Sequence, residues 1–180
     1  MKITKQIRLL LALIFLVAAM GSSGLVWQKY SEGGILKLEL LFASLFFWVS
    51  LLTLFWNRWT RLDNNSQVVG ASILSGVLLS AGFMKMLTFP LLFVGFVPLL
   101  WAEQQLAKAR AGGTDTWAMF RLAFNAFLIW NLLSTWWIQI SSLAGGLIGN
   151  VLNTVFMCLP ILLYHTTHCL VGLRAAGLGL

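Results

Sequence analysis

Charge is scarce in this chain, and acidic charge is scarcest. Only 9 % of the 180 residues are charged, with five Asp and Glu against twelve Lys and Arg. A soluble domain of ordinary composition carries about 25 %. Apolar residues reach 59 %, so there is too little polar side chain to clothe a water-facing surface. That excludes a soluble globular domain, and the same hydrophobicity excludes a disordered one. The two cysteines, Cys158 and Cys169, are too few for a disulfide framework and are not spaced as a metal knuckle. Cys158 lies inside an apolar run, where inert packing is the usual role. The basic residues never form a run, which argues against a nucleic-acid partner. No stretch alternates as a barrel strand would.

What remains is an integral membrane protein of one all-α domain, residues 1–180. A bilayer core takes about 20 apolar residues per helix. Runs of that kind cover 9–27, 40–56, 68–84, 87–101, 122–140 and 143–164. In lipid such runs must be helices, because every backbone donor and acceptor has to be satisfied within the segment. A bundle of about six transmembrane helices is therefore expected. The first run is read as a retained helix, not a cleaved signal peptide. It continues to Trp27, beyond the roughly 7 to 15 residues of a secretory apolar region, and further spans follow.

Six spans divide the basic residues unequally. Lys2, Lys5, Arg8, Arg58, Arg61, Lys108, Arg110, Arg121 and Arg174 fall on the amino-terminal side, and only Lys29, Lys37 and Lys85 on the other. The positive-inside rule places both termini in the cytoplasm. Trp27, Trp56, Trp59, Trp101, Trp117, Trp136 and Trp137 lie at or near span ends, where an amphipathic ring prefers to sit.

Spans three and four form a tight hairpin through Gly82 to Thr88 and Phe89-Pro90. Gly82 is expected to leave the helix there, Pro90 to open the next one, and Pro98 to kink it. Ser72, Gly76 and Ser80 recur every four residues, and Gly145 and Gly149 form a second small pair. Both stripes predict close packing between helices of the chain.

Polar residues inside spans are costly and therefore informative. Asn131, Thr135 and Gln139 share one face of span five. Asn150 and Asn153 lie on span six, with Thr154 beside them. One reading is hydrogen bonding between helices, worth roughly 0.6 to 2 kcal/mol each. The other is a cavity for a lipid head group, lined by Asn131, Thr135, Gln139, Asn150 and Asn153. Catalytic residues are not expected, because Glu32, Glu39, Asp63, Glu103 and Asp115 all fall at span ends or in loops. Neither a metal nor a cofactor is expected. His165 and His168 are three apart, but the sequence offers no convincing third ligand nearby. Adjacent His168 and Cys169 do not face each other on a helix, so they read as a solvated interfacial pair.

Three stretches resemble a known family. Residues 74–83 (LSGVLLSAGF), then Phe89-Pro90, then Phe96-Val97-Pro98-Leu99-Leu100-Trp101 are similar to the start of apolipoprotein N-acyltransferase. Residues 127–138 (FLIWNLLSTWWI) and 150–157 (NVLNTVFM) continue the likeness, which covers about half the chain, from Leu74 to Tyr164. The resemblance implies a multi-pass protein of the bacterial inner membrane. It implies phospholipid as a partner and, in a full-length enzyme, a lipoprotein substrate. The reaction would carry an acyl chain from phospholipid to the N-terminal cysteine of a lipoprotein, by way of an acyl thioester. In that family the chemistry belongs to a nitrilase-like domain with a Glu-Lys-Cys triad. No position of this sequence matches the triad, and neither Cys158 nor Cys169 takes its role. The chain is expected to be a fragment of a longer protein and inactive by itself. The alternative reading is the substrate-binding membrane subunit of a vitamin-type transporter.

Overall fold

The computed structural model describes residues 5–32, 38–55, 59, 65–84, 88–109, 115–138 and 142–177. Every long element among them is an α-helix. The six are α1 (Lys5–Ser31), α2 (Leu38–Leu54), α3 (Asn65–Met84), α4 (Leu91–Ala109), α5 (Thr116–Thr135) and α6 (Leu143–Gly177). Among the described residues three regions are long and apolar enough to cross a membrane: Lys5–Lys29, Ser66–Phe83 and Ala144–Val171. The helix α2 is apolar but shorter, at 17 residues.

The chain folds as two compact units. The first holds residues 1–58 and 132–149, the second 59–131 and 150–180. In the first, α1 and α2 pack as a hairpin. Ala12, Ala19 and Val26 are the buried residues of α1, seven apart, so they lie on one stripe. Small side chains on that stripe let α2 come close. The Ser50 hydroxyl donates to the Ala12 carbonyl at 2.8 Å, and Phe15 stacks on Phe46. Lys29 and Glu39 form an ion pair at the end of the hairpin where α1 leads into α2. The rest of α1 carries apolar side chains that stay exposed, among them Leu10, Val17, Met20 and Trp27.

In the second unit α3, α4 and α5 supply most of the buried side chains. Phe89 and Pro90 open α4, their carbonyls accepting from Leu92 and from Phe93 and Val94. The Thr88 hydroxyl donates to the Ala81 carbonyl at 2.7 Å and ties this turn to the end of α3. Gly82 does not break the helix, contrary to the sequence reading, because α3 runs on to Met84. Its value lies in what it leaves out: a Cβ there would sit 2.8 Å from the Leu92 nitrogen. Gly95 plays the same part from α4, since its Cβ would sit 2.9 Å from the Leu79 side chain. The Ser75 hydroxyl donates to the Gly95 carbonyl at 2.5 Å. Pro98 lies within α4, which is helical on both sides of it.

The stripe of Ser72, Gly76 and Ser80 receives α5. Ser72 donates to the Leu122 carbonyl at 2.7 Å and accepts from Asn125 at 2.9 Å. Gly76 is pressed against Ala126 and Ile129. The pair Gly145 and Gly149 behaves differently. A Cβ on Gly149 would meet open space, and one on Gly145 would meet only Ser142.

Candidate functional site

Two caps fix the helices that carry the polar residues. Asp115 stands just before α5; its carboxylate accepts from the Ala118 N–H at 3.1 Å and its carbonyl from Met119. Ser142 does the same for α6, its hydroxyl accepting from Gly145 at 3.2 Å. Each oxygen satisfies donors that a helix start leaves unpaired.

With both registers set, Asn131 near the end of α5 meets α6. Its amide donates to the Thr154 hydroxyl at 3.0 Å, and its carbonyl oxygen accepts from Asn153 at 2.8 Å. Thr154 in turn donates to the Asn150 carbonyl at 2.7 Å. The Met157 sulfur lies 3.7 Å from the amides of both Asn131 and Asn153. Asn131 and Thr154 are buried, whereas Asn153 opens to the surface. Of the five residues offered as lining a head-group cavity, Asn131, Asn150 and Asn153 join one hydrogen-bonded network, with Thr154 as the link. Thr135 ends α5, half-buried. Gln139 lies outside the described residues. Replacing Asn131 by Leu is expected to cost about 1 kcal/mol, the scale of a hydrogen bond between membrane helices. Unfolding in a mixed-detergent titration measures it.

A second polar group was not legible in the sequence. The fourth apolar run ends at residue 101, but α4 continues to Ala109. Glu103 therefore lies inside the helix. It shares a buried face with Gly95, Leu99, Ala102 and Leu106 and is completely buried. The sixth run ends at residue 164, but α6 continues to Gly177. These two extensions bring the carboxylate to the histidines. The Nδ1 atoms of His165 and His168 lie 2.9 and 3.0 Å from the same oxygen, Glu103 Oε1. The side chain of His165 is 1 % exposed and that of His168 45 %. Tyr164 stacks on the His168 ring with centroids 5.7 Å apart. Cys169, one turn beyond His165, places its Sγ 3.8 Å from the ring.

This corrects one sequence reading: an acid, Glu103, does stand beside His165 and His168. The missed signal was the spacing on α4: Leu99, Ala102 and Leu106 bracket Glu103 with the period of one helix face. Chemically the group joins a carboxylate, two imidazoles and a thiol. Ligand atoms of Glu103, His165 and Cys169 lie within 4.8 Å of one another, which makes them, among the described residues, the group able to hold a metal.

Comparison with known proteins gives a distant relationship. No family model matches the chain, and no solved structure does. The apolipoprotein N-acyltransferase of Chlorobaculum tepidum is 26 % identical over 111 residues. That stretch is 60 % of this chain and 20 % of that protein, so the chain spans about a fifth of the length of the curated relative it matches.

Proposed function

We propose that the chain is the membrane-embedded part of an apolipoprotein N-acyltransferase-like protein of the bacterial inner membrane. The observation that carries this reading is the 111-residue likeness to the Chlorobaculum tepidum protein. The exposed apolar side chains support it. Phe93 and Val97 on α4 and Phe156 and Leu163 on α6 stand outward. In a bilayer these surfaces face acyl chains. Asn131 and Asn153 join beside them, with Asn153 open. A phospholipid with its tails along the helices could present its head group there. The role of the domain is then to hold the acyl donor and, in a full-length enzyme, to deliver it to the catalytic domain.

The test is photolabelling in detergent with a phospholipid bearing a photoactivatable head group. Labelled peptides are expected to cluster on α5 and α6 around Asn131 and Asn153. Labelling spread evenly over all helices would overturn the reading. Incubated with phospholipid and a diacylated lipopeptide, the chain by itself is expected to form no triacylated product. Acyl transfer needs an activated nucleophile and an oxyanion-stabilising group in one accessible pocket. Cys158 is fully buried, and no residue here matches the family's triad.

Topology follows from the basic asymmetry. Reporter fusions after Leu180 and within residues 102–116 are expected to give cytoplasmic signals. A periplasmic signal at either place contradicts the six-span arrangement.

A further inference from the structure

The environment of Glu103 is chemically incomplete as a hydrogen-bonded group. Oε1 has two imidazole nitrogens at 2.9 and 3.0 Å. Oε2 is buried with no hydrogen-bond partner among the described residues. A carboxylate oxygen taken out of water without a partner is expensive, and a positive charge beside it offsets that cost. The surrounding atoms are those a transition metal prefers. An imidazole, a carboxylate and a thiol converge from two helices, α4 and α6, with the two α6 ligands, His165 and Cys169, four residues apart. Zinc binds nitrogen, oxygen and sulfur at about 2.0–2.3 Å in a tetrahedron. Such a tetrahedron has edges of about 3.3–3.8 Å by the same bond lengths. The separations here, 2.9 Å from His165 Nδ1 to Glu103 Oε1 and 3.9 Å from His165 Nδ1 to Cys169 Sγ, bracket those edges.

We infer that Glu103, His165 and Cys169 form a zinc-class metal site that clamps the C-terminal turns of α6 to α4. The half-exposed His168 and the less buried Cys169 give the ion its entry. Three protein ligands leave a fourth position of the tetrahedron for a water on the half-exposed side. Coordination through His165 Nδ1 leaves the imidazole proton on Nε2 and releases the Cys169 thiol proton to water. The assignment is independent of the acyltransferase reading.

The test uses the full chain in detergent, stripped with a chelator and then dialysed first against zinc and afterwards against metal-free buffer. One zinc per chain is expected to remain, measured by elemental analysis. Cobalt(II) as a spectroscopic probe is expected to give tetrahedral d–d bands and a near-ultraviolet thiolate-to-cobalt band. Cys169→Ser should abolish the thiolate band, and Cys158→Ser should leave it. Glu103→Gln keeps the size and an acceptor oxygen but removes the charge, and is expected to weaken binding at least tenfold. Should that variant fail to fold, Cys169→Ser, at the more accessible edge of the cluster, decides the matter. Zinc lost on dialysis, a thiolate band that survives Cys169→Ser, or equal affinity in wild type and folded Glu103→Gln would each overturn the assignment.

Discussion

Gly76→Val is expected to pull α5 away from α3 and to destabilise the second unit by about 3 kcal/mol. A Cβ at this position would lie 2.5 Å from the Ala126 carbonyl oxygen and 2.9 Å from the Ile129 Cβ. The first is backbone and cannot rotate aside. Relief has to come from movement of a whole helix, and forced overpacking of this kind costs typically 1–3 kcal/mol. The movement would also strain two hydrogen bonds one turn away, Ser72 to the Leu122 carbonyl and Asn125 to Ser72. Hydrogen bonds between membrane helices average about 0.6 kcal/mol each. Gly70 supplies the control, because a Cβ there meets nothing within 4 Å. Gly70→Ala is expected to be neutral or stabilising, by up to about 1 kcal/mol, since alanine loses less backbone entropy in a helix. Thermal unfolding in detergent, followed by tryptophan fluorescence, should separate the two variants clearly.

The second large effect is expected at Glu103. Glu103→Ala removes the acceptor shared by His165 and His168 and leaves the buried His165 ring without it. Two hydrogen bonds between helices, each at the upper end of about 0.6 to 1.7 kcal/mol, together with the desolvated imidazole, put the cost at about 3 kcal/mol. Glu103→Gln retains an oxygen acceptor and is expected to keep more than half of this stability. Hydrogen exchange reports the location: protection should fall first in the turns of α6 around His165, while α1 and α2 remain unaffected. A loss spread evenly over both units would contradict a local role.

These two positions show how unequally the sequence carried its information. The stripe of Ser72, Gly76 and Ser80 announced a close helix contact, since small residues every four positions leave a groove wherever they occur. Which helix fills the groove was not written there. The answer, α5, depends on Asn125 meeting Ser72 across 53 residues. Gly145 and Gly149 carry the same local pattern, yet a side chain at Gly149 would meet open space. A small-residue motif permits an approach without specifying a partner.

Composition and hydropathy by themselves determined that the chain is helical and apolar, because long runs without charge have one way to satisfy their backbone groups in lipid. They also located the polar residues worth watching, and Asn131 and Asn153 do meet. Helix ends were less legible. Apolarity fades at residues 101 and 164, but hydrogen bonding continues through the polar turns of α4 and α6 as far as Ala109 and Gly177. Only the tertiary structure decided the fate of Glu103. An acid just beyond an apolar run reads as a solvated end, and its burial depends on α6 lying alongside with two imidazoles in reach. That meeting joins residues 62 and 65 positions apart, a separation at which local periodicity no longer constrains which side chains touch.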